Sequence, residues 1–213
     1  MGSSANDPNM PTILLIRHCE NEYSRTGRLP GRLPGIHLNE HGRVQAQALA
    51  EKLTGMSVKA IYSSPLERAL ETAEPIAKAL GLTVIPRHGL IETDPGEWTG
   101  KTLQSLRRRK LSSIVQKSPS TFSFPGGEAF YAAQYRIITE IDSLCAQSDS
   151  KDVLIGVSHA DPIRLAVAHF IGLPLDMLQR LHVSTASITA LQIDGEDQRL
   201  LMLNINLSFT LPG

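Results

Sequence analysis

Cysteine, aromatic residues, net charge and long apolar runs are all scarce in this sequence. Its 213 residues include two cysteines, Cys19 and Cys145, and only 5% are aromatic. Two cysteines are too few for a disulfide scaffold and suit a reducing compartment. Lysine plus arginine (21) equals aspartate plus glutamate (21), so we expect no broad basic surface for nucleic acid. No apolar stretch approaches the roughly 18 residues that a membrane span needs.

The N-terminal segment also lacks the features of a secretory signal. It has no basic region, and its one apolar run, residues 13–16, ends at Arg17. Residues 1–10 are polar and rich in Gly, Ser, Asn and Pro, which predicts a flexible tail before a single domain over residues 11–213. At 41% hydrophobic and 20% charged, the composition is globular. We therefore predict a cytoplasmic protein that binds neither nucleic acid nor a membrane.

Short apolar runs alternate with segments of helical periodicity along the chain. The runs are typical of strands, and those at 12–16 and 153–157 are apolar throughout, as expected of strands buried on both faces. Predicted strands lie at 12–16, 60–62, 82–85, 153–157, 188–193 and 200–205. Helices are predicted between them, one of which begins with a capping box at Ser64-Pro65-Leu66-Glu67. This order predicts an α/β fold, a three-layer α/β/α sandwich with a mainly parallel central sheet.

Arginine and histidine side chains, which can bind anions or take part in catalysis, follow three of these predicted strands. Arg17 and His18 follow the first strand, Arg68 lies just after the second, and His159 follows the strand at 153–157. Ligand sites of open α/β sheets form outside the carboxyl ends of the strands. Arginine forks and helix N-termini at that edge favour an anion. The pattern therefore predicts an anion site, either in an enzyme or in a phosphate-binding module without activity.

An esterase is the alternative from a different chemistry. The stretch Gly156-Val157-Ser158-His159-Ala160 resembles a nucleophile elbow, with Ser158 as nucleophile and Asp176 and His182 as its partners. Those two partners are only six residues apart, and the arginines would have no role. His37 and His41 have helical spacing, but no third ligand accompanies them, so we predict no metal site.

Taken together, the motifs resemble those of the histidine phosphatase superfamily, in its branch of phosphatases related to phosphoglycerate mutase. Residues 15–20, LIRHCE, are similar to the LIRHGE signature of that family. Further matches follow in the family's order: Leu38–Ala46, Ser63–Ala69 with Thr72-Ala73, Glu92 with Gly96–Gly100, Phe124–Glu128 and Val157–Asp161. The resemblance runs from about residue 12 to residue 205.

This resemblance implies metal-independent phosphoryl transfer that needs no cofactor. His18 is then the nucleophile that forms a phosphohistidine, and Arg17, Arg68 and His159 hold the phosphoryl oxygens. Glu92 is the general acid for the leaving oxygen. The expected substrate is a small phosphomonoester. The chain lacks the longer insertions associated with the glycolytic mutases, which favours hydrolysis over the alternative, a phosphoglycerate mutase-type phosphomutase.

Three positions depart from the family's pattern. Cys19 replaces the usual glycine, Asn21 replaces a threonine or serine, and Ser24 stands where many members have asparagine. Asn21 and Ser24 still carry side-chain donors, so both are predicted to bind the phosphate. Cys19 is predicted to be a packed small residue. The sequence specifies no substrate and no oligomeric state, and a homodimer is left open.

Overall fold

The computed structural model describes residues 10–106, 110–195 and 197–206. The predicted tail, 1–10, lies outside these ranges except for Met10, which is buried. The strands in the described ranges are β1 (Thr12–Arg17), β2 (Ala60–Ser63), β3 (Val84–Pro86), β4 (Val153–Ser158), β5 (Ile188–Asp194) and β6 (Asp197–Ile205). The helices are α1 (Glu22–Arg25), α2 (Glu40–Leu53), α3 (Glu67–Leu80), α4 (Leu103–Leu106), α5 (Lys110–Lys117), α6 (Phe130–Ala146) and α7 (Ala160–Phe170).

One sheet contains these strands, in the order β3-β2-β4-β1-β5-β6. β1, β2, β3 and β4 run parallel, whereas β5 is antiparallel to β1 and β6 is antiparallel to β5. The mainly parallel α/β fold is therefore confirmed. Because β1, β2 and β4 are neighbours and run parallel, their carboxyl ends meet at one edge of the sheet.

Helices cover both faces of the sheet. Ile13 and Leu15 of β1 pack into a core with residues of α6 and α7, while Leu14 and Ile16 pack into a second core with residues of α2 and α3. Successive side chains of a strand point to opposite faces, so a strand covered on both sides must be apolar at every position. In the described ranges, no helix combines the length and the hydropathy that crossing a bilayer requires.

The contact between α2 and the end of β1 depends on Gly42. A Cβ on this residue would lie 2.0 Å from the carbonyl oxygen of Glu20, so only glycine allows the helix to approach so closely. Gly42 therefore faces inward, and Val44, two positions along the helix, points outward and is 60% exposed. The helix thereby packs beside the segment that follows the nucleophile candidate His18.

Candidate active site

The residues that follow β1, β2 and β4 converge at the sheet edge. Backbone hydrogen bonds join the three strand ends: the His18 N–H donates to the Ser158 carbonyl over 2.9 Å, and the Ser64 N–H to that of Val157 over 2.8 Å. A cavity of about 370 Å³ opens beside them. Of the predicted site residues, its lining includes Arg17, His18, Asn21, Ser24 and Glu92.

His18 is buried and its tautomer is defined by one hydrogen bond. Nδ1 lies 2.7 Å from the carbonyl oxygen of Cys19, and because a carbonyl only accepts, Nδ1 carries the proton. Nε2 is then left with a lone pair. Burial, together with the charges of Arg68 and Arg17, holds the pKa of His18 well below 6.5. The imidazole is therefore neutral near pH 7, as a nucleophile must be.

Buried donors without partners surround this imidazole. The atoms are Arg17 Nε, Arg68 Nε and Nη1, Asn21 Nδ2 and His159 Nδ1, and none has a hydrogen-bond partner among the residues that the structure describes. Buried polar atoms are normally paired, so a group of unpaired donors is costly unless a ligand accepts from them. Several donors with two cationic groups suit the oxygens of a phosphoryl group.

Backbone carbonyls hold the two arginines in place. Arg17 Nη1 donates to the carbonyl of Val183 over 2.7 Å, and Arg68 Nη2 donates to that of Gly31 over 2.8 Å. Burial lowers the pKa of both guanidiniums, while the charge of Glu92 opposes this effect. A guanidinium still keeps its charge at any physiological pH. The remaining N–H groups are thus oriented before a ligand arrives.

His159 lies beside His18, with ring centroids 5.1 Å apart and the two ring planes tilted by 59°. Its Nε2 is 2.8 Å from Ser64 Oγ, and a hydroxyl that donates there leaves the proton on Nδ1, which faces the site. Burial, with the charges of Arg68, His18 and Arg17, lowers the pKa of His159 well below 6.5. The neutral ring then serves as a hydrogen-bond donor.

The predicted capping box at Ser64 is therefore wrong. α3 begins at Glu67, and its N-cap, Leu66, makes no side-chain capping bond. Ser64 is fully buried and contacts His159 instead. Local sequence favoured the cap because a serine preceded a proline and a glutamate, whereas the tertiary contact with residue 159 decided the outcome.

Glu92 is the carboxyl group of the site. Its Oε1 accepts from the N–H of Thr93 over 2.9 Å, and its Oε2 lies 3.9 Å from His159 Nδ1. Burial and the charge of Asp161 raise the pKa of Glu92 to about 7, against the opposing charges of Arg68 and Arg17. A carboxyl with a pKa near 7 can both give and take a proton at neutral pH. Glu97, five residues along, is exposed.

Asp161 was not singled out from the sequence as a functional residue. It lines the cavity and forms an ion pair with Arg164, three residues later on α7. The available signal was its position, two residues after His159 and in the first turn of a helix that starts at the site. Its charge raises the pKa of Glu92.

Asn21 and Ser24 lie where α1 begins. Asn21 caps this helix, with Oδ1 accepting from the Ser24 N–H over 2.8 Å, which leaves Nδ2 as a buried donor. The Ser24 hydroxyl donates to the carbonyl of Asn21 over 2.9 Å. Ser24 lines the cavity, but its hydroxyl proton is already used in this hydrogen bond to the backbone.

The catalytic triad of an esterase does not form. Ser158 Oγ is fully buried and donates to the carbonyl of Leu90 over 2.7 Å. Asp176 accepts from the N–H of Ser120, and His182 pairs with Ser184. Each of the three triad candidates is bonded elsewhere.

The two histidines with helical spacing lie outside the site and pair with carboxylates. His37 pairs with Glu71, and His41 lies 3.3 Å from Glu20. No group of three or more His, Cys, Asp or Glu suited to a metal ion occurs in the described part of the chain. Burial raises the pKa of Cys19 to about 12, so its thiol stays protonated beside His18.

Residues from two further segments also line the cavity. The loop at 28–38 contributes Arg28, Leu29 and Pro30 to its lining. In the segment 101–127, which we expect to carry substrate contacts, Leu103 and Phe124 are among the residues that line it. The basic run Arg107-Arg108-Arg109, which we expect to form a solvated helix face, lies outside the described residues.

Several proteins of related sequence act on phosphorylated compounds. The chain is similar to phosphoserine phosphatase 1 of Hydrogenobacter thermophilus, with 30% identity over 198 residues that cover 92% of this chain and 93% of that protein. It is also 30% identical to the 2,3-bisphosphoglycerate-dependent phosphoglycerate mutase of Thermoplasma acidophilum, over 91% of this chain and 92% of that protein.

A solved structure and a family model agree with these relatives. The chain superposes on a mycobacterial glucosyl-3-phosphoglycerate phosphatase in complex with VO3, with a TM-score of 0.83 and 28% identity over 91% of this chain and 98% of that one. The model described as histidine phosphatase superfamily (branch 1) matches residues 13–206. The chain therefore belongs to the histidine phosphatase superfamily and is a phosphatase or phosphomutase.

Proposed function

We propose that the protein hydrolyses a small phosphomonoester through a phosphorylated His18. The observation that carries this proposal is the convergence of buried, unpartnered donors from Arg17, Arg68, Asn21 and His159 around a neutral imidazole. A phosphoryl group would accept hydrogen bonds from these donors, and His18 Nε2 offers a lone pair that can attack its phosphorus.

In the first half-reaction, His18 Nε2 attacks phosphorus and the bond to the leaving oxygen breaks. The charge on the three equatorial oxygens is neutralised by Arg17 and Arg68, and His159 adds a neutral donor. Glu92 gives its proton to the leaving oxygen, which departs as an alcohol. The dianionic substrate raises the pKa of Glu92 above its value in the free protein, because like charges disfavour ionisation. The carboxyl therefore stays protonated when the acid is needed.

In the second half-reaction, water attacks the phosphohistidine. Glu92 is now a carboxylate and removes a proton from that water. The N–P bond breaks, the electron pair returns to His18 Nε2, and phosphate leaves. Both half-reactions use the same groups, so no further residue is required.

Hydrolysis is favoured over phosphomutase activity by the similarity to the phosphoserine phosphatase of Hydrogenobacter thermophilus and to the mycobacterial glucosyl-3-phosphoglycerate phosphatase. The continuous family match over residues 13–206 supports one domain within the proposed range 11–213. Two free, buried cysteines support the cytoplasm as the compartment.

Trapping of the phosphoenzyme tests the proposal. Incubation with a good substrate followed by quenching without acid is expected to yield a base-stable, acid-labile phosphoryl group, mapped to His18 by mass spectrometry. The reaction is run in the presence of a chelator. The amount of free phosphate released is compared with the amount of isomerised ester formed. His18→Ala should abolish both adduct and turnover. An adduct on another residue, or full turnover by His18→Ala, would refute the mechanism, and an isomerised ester without phosphate release would identify a mutase.

A further inference from the structure

Arg32, in the loop between α1 and α2, contacts the segment that carries Glu92. Its Nε donates to the main-chain carbonyl of Glu92 over 2.8 Å, and its Nη2 donates to Glu128 Oε2 over 2.9 Å. One guanidinium thus joins the backbone of the acid residue to a carboxylate 36 positions further along the chain. No sequence motif indicated this contact.

Glu128 is itself fixed by a second arginine. Arg136 Nε and Nη2 donate to its two oxygens over 3.1 and 2.9 Å, and Arg136 Nη1 donates to the carbonyls of Gly89 and Ile91 over 2.9 and 2.8 Å. Burial tends to raise the pKa of Glu128, but Arg136 and Arg32 outweigh it and hold that pKa below its usual range. The ionised carboxylate therefore anchors two guanidiniums that bind the acid-bearing segment.

The residue before Arg32 contacts the other half of the site. The carbonyl of Gly31 accepts from Arg68 Nη2 over 2.8 Å. Gly31 has a φ of +53°, and a Cβ there would lie 2.5 Å from the Pro95 side chain. The loop therefore packs tightly on the segment of Glu92 while it also orients the phosphate-binding Arg68.

We propose that Arg32 is a positioning residue for Glu92, which acts by fixing the main chain from which the acid's carboxyl reaches the leaving oxygen. The inference rests on the proposed function. Displacement of a catalytic group by about 1 Å can lower the reaction rate by about 10²-fold. The side chains of Arg32 and Glu128 are only 34% and 16% exposed, so loss of Arg32 is also expected to lower stability, because the largely buried carboxylate then has one arginine fewer. The effect of Arg32 on catalysis acts through the backbone of Glu92 and should appear in the proton-transfer step.

The test compares Arg32→Gln with a matched control, Arg87→Gln. Arg87 is 35% exposed, pairs with Glu140 over 2.6 Å and, like Arg32, lines a second, open cavity of about 780 Å³, but it makes no bond to the Glu92 backbone. The value of kcat/KM is measured with an alkyl phosphate and with a nitrophenyl phosphate. Only the alkyl leaving group needs a proton, and kcat/KM excludes the later hydrolysis of the phosphoenzyme.

For Arg32→Gln we expect a loss of about 10-fold on the alkyl phosphate and less than about twofold on the aryl phosphate. For Arg87→Gln we expect less than about twofold on either. In a Glu92→Gln background, Arg32→Gln should cause no further loss on the alkyl substrate, because the group it positions is already removed. Equal losses on the two substrates, or a full additional loss in the double variant, would overturn the inference.

A second variant tests the inference if Arg32→Gln does not fold. Arg32→Lys keeps a positive charge opposite Glu128, but one ammonium group is too compact to bond both that carboxylate and the Glu92 carbonyl. The same selective loss on the alkyl phosphate is expected. If Glu92→Gln alone shows no dependence on the leaving group, the proposed acid itself is refuted. If Glu92→Gln shows that dependence and both Arg32 variants lack it, only the positioning role is overturned.

Discussion

Replacement of Glu92 by glutamine tests the proposed acid most directly. An alkoxide is a poor leaving group and needs a proton, whereas a nitrophenolate leaves without one. We therefore expect Glu92→Gln to lower kcat/KM on an alkyl phosphate by about 10²-fold or more, the usual scale for a positioned acid. The loss on a nitrophenyl phosphate should be much smaller, because the imidazole and the anion site are unchanged.

The pH dependence follows from the pKa of about 7 for Glu92. An acid acts in its protonated form, so the rate on the alkyl phosphate should fall as pH rises through that value. Between pH 7 and pH 9 the protonated fraction falls from about one half to about 1%, a fall of about 50-fold in kcat/KM. Substrate ionisation does not interfere there, since the second pKa of a phosphate ester is about 6. This limb should vanish in Glu92→Gln.

Stability measurements separate lost chemistry from lost folding. The pKa of Glu92 is about 7 in the folded protein against 4.5 for an ordinary glutamate, so only the unfolded chain is ionised between these values. Stability is therefore lost as pH rises from about 4.5 to 7. The side chain is 15% exposed, and the penalty at pH 8 is about 1–3 kcal/mol. Glu92→Gln should remove it and raise the denaturation midpoint.

Glu97→Gln is the control, since Glu97 lies in the same segment but is exposed. Equal losses on both leaving groups in Glu92→Gln, or a selective loss in Glu97→Gln instead, would refute the assignment of the acid. A lower denaturation midpoint at pH 8 in Glu92→Gln would refute the reasoning on its pKa.

Three further substitutions have definite expectations. Ser158→Ala should keep kcat/KM within about tenfold while it lowers the free energy of unfolding by about 1 kcal/mol, the value of one buried hydrogen bond; an inactive but folded variant would revive the esterase alternative. Ser64→Ala removes the bond that orients His159 and should lower kcat/KM by up to about tenfold with both alkyl and aryl phosphates; an unchanged rate would contradict that role. Gly42→Ala places a methyl group against the carbonyl of Glu20 and should cost about 1–3 kcal/mol in denaturant unfolding; an unchanged midpoint would show that α2 can move away freely.

Much of the fold could be predicted from local patterns. The apolar runs at 12–16 and 153–157 indicated strands buried on both faces. The helical spacing of Phe130, Ala133 and Ile137 likewise predicts the face of α6 that is buried. These predictions hold because strand and helix periodicity is a property of neighbours along the chain. The sequence also predicted that the arginines and histidines after three strands lie together, since parallel strands place such residues at one edge of the sheet.

Other features depended on contacts between distant segments. The helical spacing of Val44 with Ala48, Leu49 and Leu53 predicts Val44 on the buried stripe of α2, but the close contact at Gly42 turns it outward. Ser64 left its predicted cap for a bond with His159, whose position is set by the pairing of β2 with β4. In both cases a contact with a distant segment decided between alternatives that local sequence alone separates by only about 1 kcal/mol.

The sequence by itself determined the fold class and the set of reactive groups, and the tertiary structure decided their chemical state. The proton on His18 Nδ1, the pKa of about 7 for Glu92 and the bond from Arg32 to the backbone of Glu92 all arise from groups brought together by folding. A pKa depends on burial and on the charges nearby, and no sequence pattern specifies either. The identity of a catalytic residue can therefore be found along the chain, whereas its readiness to react depends on what surrounds it in three dimensions.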